Sequence, residues 1–189
     1  MGVALESRTV LILAQAISIL GLVLNCLSFQ QKKKKILILF QFFGAILFSV
    51  HYFLIGAPLG FLMNAVGTVR GLVFAFTHPK KCGNLFRIGV FLALFLASYP
   101  LAFTLFGTEP TARNLIVEAL PVVAMCLATV SFGLPTAAGV RRITLFASPL
   151  WMTYNILNRS VGGILSELIG FCSVIIGIIR YDRREKEQK

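Results

Sequence analysis

An all-α polytopic membrane fold is what this sequence predicts: seven transmembrane helices, arranged as two parallel three-helix repeats joined by a linker helix (3+1+3). Three observations carry it. The 189 residues are 57% hydrophobic and 13% charged, with a mean hydropathy of +0.85, which is more apolar surface than one water-soluble core can hide. The apolar residues form continuous runs of helix-spanning length rather than the ten-residue alternating segments of a barrel. Finally, the second half repeats the first: an ungapped shift of 103 puts Ser28-Phe29 on Ser131-Phe132, Phe43 on Phe146, Leu54 on Leu157, Gly60 on Gly163 and Gly67 on Gly170.

The first run, 10–27, resembles a secretory signal but has no basic segment before it and no small-x-small cleavage site, so it reads as a retained span. Glu6 stands where a myristoylation signal wants Ser or Thr. The second run, 36–55, follows Lys32, Lys33, Lys34 and Lys35, and the third covers 59–76. These three make the first repeat, 10–77. The run 85–106 is the linker helix, within 84–107. The second repeat, 113–180, holds 115–132, the short sixth run 143–157, and 161–179. Asn158-Arg159-Ser160 has the form of a glycosylation sequon, but it lies in a connection of a few residues and reads as a tight turn. A basic tail, 181–189, ends the chain.

Charge orients the spans. All but four of the 18 lysines and arginines fall in segments that seven spans put on one side, the exceptions being Arg8, Arg70, Arg113 and Arg159. The positive-inside rule then makes the C-terminus cytoplasmic and the N-terminus external. The formal net charge of +11 is divided among short loops with no basic groove or stacking aromatics, which excludes nucleic acid as a partner and favours anionic lipid headgroups at the cytoplasmic loops. The bilayer is the obvious partner, and a second copy of the chain is compatible with the sequence.

Soluble-type catalysis has no visible machinery. Cys26, Cys82, Cys126 and Cys172 lack CxxC spacing and histidines placed for zinc, so no metal site is expected. There is no phosphate-binding glycine loop, no nucleophile elbow and no H-E-x-x-H. Neither an enzyme nor a cofactor is expected.

Polar residues inside the spans remain. Gly60, Asn64, Gly67 and Gly71 lie on one stripe of the third run, and Gly163, Glu167, Gly170 and Val174 have the same spacing in the seventh. The glycines alone indicate close helix packing. Asn64 and Glu167 differ, because an acid at the centre of a spanning helix costs roughly 2.5–3.5 kcal/mol on insertion scales and is commonly functional. His51, Tyr52, Tyr154 and Asn155 fall toward the outer ends of the second and sixth runs, matched in pairs by the same shift. Together these six are the candidate substrate-binding residues, with Asn64 and Glu167 facing each other and the rest toward an outer mouth. Arg70, nearer the cytoplasmic end, reads as an anchor or inner-gate residue.

The segment LSFQQKKKKI at 27–36, the turn HYFLIGAPLG at 51–60 with Asn64 and Arg70, and Tyr154-Asn155 with Gly162, Glu167 and the basic tail resemble the YgjV family of bacterial inner-membrane proteins over nearly the whole chain. The architecture is similar to that of the SWEET and PQ-loop carriers, which implies a substrate pocket between two triple-helix bundles, with Asn64 at one pocket position and Glu167 in place of an asparagine at the other. Several departures qualify that likeness, among them a second half that reads Phe132-Gly133-Leu134-Pro135-Thr136 with no glutamine. Ser28-Phe29-Gln30-Gln31 ends the first span without the proline of a PQ motif, and of the helix-bending prolines only Pro149 is well placed. A carboxylate where sugar carriers have an amide suits proton coupling, or a cationic or polyhydroxyl solute, better than a sugar. The expected function is transport or binding of a small polar solute; the alternative is a receptor or assembly partner that keeps the fold without the cycle.

Overall fold

The computed structural model describes residues 2–77 and 83–183, with side chains placed over 8–77 and 83–182. Among the described residues there are seven α-helices and no strand: α1 (Gly2–Phe29), α2 (Lys34–Leu54), α3 (Pro58–Phe76), α4 (Asn84–Thr104), α5 (Ala112–Gly133), α6 (Ala137–Leu157) and α7 (Val161–Gly177), the last continuing into a π-helical turn, Ile178–Arg183. Six of them, all but α6, are long and apolar enough to cross a membrane. Lys80, Lys81, Cys82 and the tail from 184 lie outside the described residues. Cys26, Cys126 and Cys172 are free thiols.

Helix starts follow local chemistry. Pro58 opens α3, where its missing N–H costs nothing. Thr111, Thr136 and Ser160 cap α5, α6 and α7 by accepting from Asn114 N, Gly139 N and Gly163 N at 3.2, 3.1 and 3.1 Å. The Thr136 cap corrects the sixth run: the helix begins at Ala137 rather than near 143, so α6 has 21 residues, and polar composition rather than length sets it apart. The prolines are corrected as well. Pro100 and Pro121 lie inside α4 and α5, alongside Pro149 in α6.

The 103-residue interval appears in the backbone. It separates Lys34 from Ala137 and Leu54 from Leu157, the bounds of α2 and α6, and Pro58 from Val161, the starts of α3 and α7. The two connecting turns also share their hydrogen bonds: Ile55 N to His51 O, Gly56 N to Phe53 O and Ala57 N to Tyr52 O recur as Asn158 N to Tyr154 O, Arg159 N to Ile156 O and Ser160 N to Asn155 O. Each turn needs one left-handed residue, Gly56 at φ 71° and Arg159 at φ 54°. Asn158-Arg159-Ser160 is therefore the tight turn expected.

Helices α1–α2–α3 and α5–α6–α7 each pack in sequence, α1 also meets α7 and α3 also meets α5, which closes a ring. α4 lies against α3 and α5 outside it. The interior holds Leu37, Met63, Phe95, Phe132 and Val140, all nearly inaccessible. The outside is apolar: Leu85 is 84% exposed, Phe146 71% and Ile12 69%, a surface matched to hydrocarbon rather than water.

Candidate functional site

A cavity of about 140 Å³ lies within the ring, lined by residues of α1, α2, α3, α5, α6 and α7 and by none of α4. At the end where the two matched turns lie, the Tyr52 hydroxyl donates to Asn155 Oδ1 at 2.6 Å, joining residues 103 apart. The Tyr52 ring stacks on Trp151 at 5.9 Å between centroids. Gly60 N donates to the Tyr154 hydroxyl at 3.1 Å, so the starts of α3 and α7 are at the same end of the molecule. Gly60 is required there because a β-carbon would come within 2.7 Å of the Tyr52 ring; at the matched Gly163 it would strike the Asn155 amide. Gly67 and Gly71 likewise admit Met125 and Phe42, whereas Gly170 faces the open cavity.

Asn64 and Glu167 both line the cavity. Each is six residues into its helix, roughly 9 Å of rise from the shared end. Glu167 accepts a hydrogen bond from Ser148 Oγ across the α6–α7 contact. Asn64 Nδ2 turns back to Gly60 O at 2.9 Å, which orients its amide along α3. Tyr52 and Asn155 form the cavity's roof.

His51 and Tyr154 do not line it. His51 Nδ1 is 2.9 Å from Ala14 O, and since a carbonyl only accepts, that nitrogen carries the proton. Nε2 then accepts from Ser160 Oγ at 2.8 Å, and Ser160 Oγ accepts from Gly163 N, a chain joining α1, α2 and α7. Every polar atom of the imidazole has a partner, so His51 ties helices behind the pocket instead of standing at a mouth. Tyr154 is 1% exposed and serves the α3–α6 contact.

Arg70 does not run out to an interface. It is 5% exposed, and its Nη1 donates to Met125 O and Thr129 Oγ1, both at 3.1 Å. The guanidinium lies over Phe132 at 4.5 Å and Phe95 at 5.3 Å, its Nε is buried without a partner, and the residue contributes to the cavity wall.

A second set of bonds ties the helices together at the opposite end. Arg141 pairs with Asp182 through both carboxylate oxygens and donates to Gln31 O at 3.0 Å. Gln30 Nε2 donates to Ser173 O and Oγ at 2.9 Å. Gly177 makes room, since a β-carbon there would lie 2.6 Å from Phe29 O. No group of His, Cys, Asp and Glu suited to a metal occurs among the described residues. The arrangement is a partly open polar pocket bearing one carboxylate and one guanidinium.

The model of the bacterial inner membrane protein family Imp-YgjV matches residues 12–185. The chain belongs to the Imp-YgjV family. It is an integral, multi-pass protein of the bacterial inner membrane. No curated protein and no solved structure matches it.

In this Imp-YgjV chain, sequence reasoning overlooked Ser148, Asn25 and Gln41, which also line the cavity, and Glu118, whose Oε2 is buried without a hydrogen-bond partner in α5. Glu118 left a plain signal, an acid in the apolar run 115–132. Ser148 left none, because one serine in an apolar helix is ordinary until its partner is known.

Proposed function

We propose that this Imp-YgjV protein binds and moves a small polar solute through a pocket between two halves of the chain. The observation that carries the reading is the cavity of about 140 Å³ within the ring, whose wall includes Tyr52 and Asn155, and Asn64 and Glu167, two pairs drawn from matched positions. Polar groups at the interface of repeats are where carriers hold their substrates. In this reading all seven helices span, α1–α3 and α5–α7 are parallel repeats, α4 is the linker, and the C-terminus is cytoplasmic. Support comes from the 103-residue interval between helix bounds and between turns, and from α4 lying outside the pocket. Lys32 to Lys35 would meet anionic headgroups. No reaction is assigned.

Glu167 is bonded by Ser148 and not by His51 or Tyr52, and it borders open volume, which favours a ligand site over a sealed polar cluster. The second reading, a receptor or assembly partner without transport, is favoured by the bonds that tie the helices together at both ends. Proteoliposome uptake and efflux screening separates them: solute flux abolished by Glu167→Gln in a protein that still inserts and folds supports the carrier, binding without flux selects the receptor, and unaltered flux in Glu167→Gln removes Glu167 from the site. A C-terminal fluorescent fusion should report from the cytoplasm and an N-terminal tag from outside. Both termini on one side would rule out seven spans.

A further inference from the structure

The cavity wall carries a carboxyl group and a guanidinium that form no ion pair with each other. Glu167 is six residues into α7 and Arg70 is twelve residues into α3, and the helices start at the same end, so the two positions differ in depth by roughly 9 Å. The only ion pair among the described residues is that of Arg141 with Asp182. Arg70 spends its Nη1 on α5 and lies over the rings of Phe132 and Phe95, and it makes no ion pair with Glu167. Glu167 receives a single hydrogen bond, on one oxygen, from Ser148. Both groups therefore keep unused capacity at different levels of one chamber.

In a medium of low dielectric, a ligand is selected by whether it leaves a charge uncompensated. A monoanion seated on Arg70 leaves Glu167 bare, and a monocation on Glu167 leaves Arg70 bare. An uncharged polyol compensates neither. A solute carrying an ammonium at one end and a carboxylate at the other satisfies both while adding no net charge. The volume, about 140 Å³, is well under the roughly 300–1,000 Å³ of drug-sized pockets, which favours a small solute. We infer that the pocket of this chain takes a small zwitterion of the amino-acid class, its ammonium toward Glu167 and Ser148 and its carboxylate toward Arg70. The inference rests on the solute-binding reading given above and names its ligand.

The test uses the full chain, purified in detergent micelles, with binding measured by calorimetry and by thermal unfolding. Glycine, β-alanine and γ-aminobutyrate vary the separation of the charges, while propionate, propylamine and 1,3-propanediol present the anion, the cation and neither. At least one of the three zwitterions should bind tenfold or more tightly than every single-function control. In Glu167→Gln the ammonium should lose its value, so that β-alanine and propionate bind alike; a merely structural Glu167 would leave their ratio unchanged. Arg70→Gln should erase the preference over propylamine, and if that variant fails to fold, the Glu167→Gln ratio still decides. Zwitterions binding no better than the controls to folded protein would overturn the assignment. If the flux screen then finds an uncharged or singly charged solute, the pocket reading survives; if it finds none, both fall.

Discussion

Replacing Asp182 by Ala removes one partner of a buried ion pair whose side chains are each 3% exposed. Arg141 then loses its contacts to both carboxylate oxygens and keeps two carbonyls, Gln31 O at 3.0 Å and Phe29 O at 3.4 Å. Breaking a buried pair from one side costs roughly 3–5 kcal/mol, because the surviving charge is left buried. The two retained carbonyls put this case near the lower end, about 3 kcal/mol. With the conversion for soluble domains of 150–250 residues, that is a fall in melting temperature of about 6–12 °C. Thermal unfolding in detergent micelles reads it directly. The double variant Arg141→Met with Asp182→Leu, which removes both charges, should recover more than half of the loss. An Asp182→Ala protein melting within about 2 °C of the parent, or a double variant no better than the single, would refute the view that this pair locks α6 and the terminal π-turn onto the end of α1.

Gly162→Ala should destabilise by about 1–3 kcal/mol, since the new methyl would meet Ser18 and Gln15 of α1, and Ser18→Gly should restore part of it in the same unfolding assay. Thr136→Ala deletes the cap of α6 and should cost about 1 kcal/mol, measured by denaturant unfolding; no change would mean that the helix start is held by Arg141 alone. Gly170→Ala has nothing within 4 Å to strike, so it should leave stability equal or raise it by about 0.5–1 kcal/mol while weakening solute binding in calorimetry. A destabilised Gly170→Ala protein would show that the chamber is filled by packing.

Helix number and most boundaries were legible in the sequence because continuous apolar runs and a 103-residue self-similarity are one-dimensional signals. The extension of α6 back to Ala137 was hidden, since Arg141 and Arg142 look like loop residues until Asp182, 41 residues away in sequence, is seen to receive one of them. The burial of Arg70 was hidden for the same reason: its position suggested an anchor at an interface, but two phenyl rings and a backbone carbonyl of α5 hold it inside. Position along each helix was readable from residue counts. Facing was not, so Tyr52 and Asn155 reached the cavity while their immediate neighbours His51 and Tyr154 turned away from it.

The Tyr52–Asn155 bond joins equivalent positions, yet its chemistry is one-sided: a phenol donates and an amide oxygen accepts. Two copies of the first half would set tyrosine against tyrosine at that point, and would have alanine at position 57 where Ser160 now donates to His51. Two copies of the second half would set amide against amide and lose the imidazole. Each half is thus a lock cut for the other's key. Expressed as separate polypeptides, residues 1–77 and 84–189 should seek each other rather than themselves, and a tandem of either half should not reproduce the roof over the chamber.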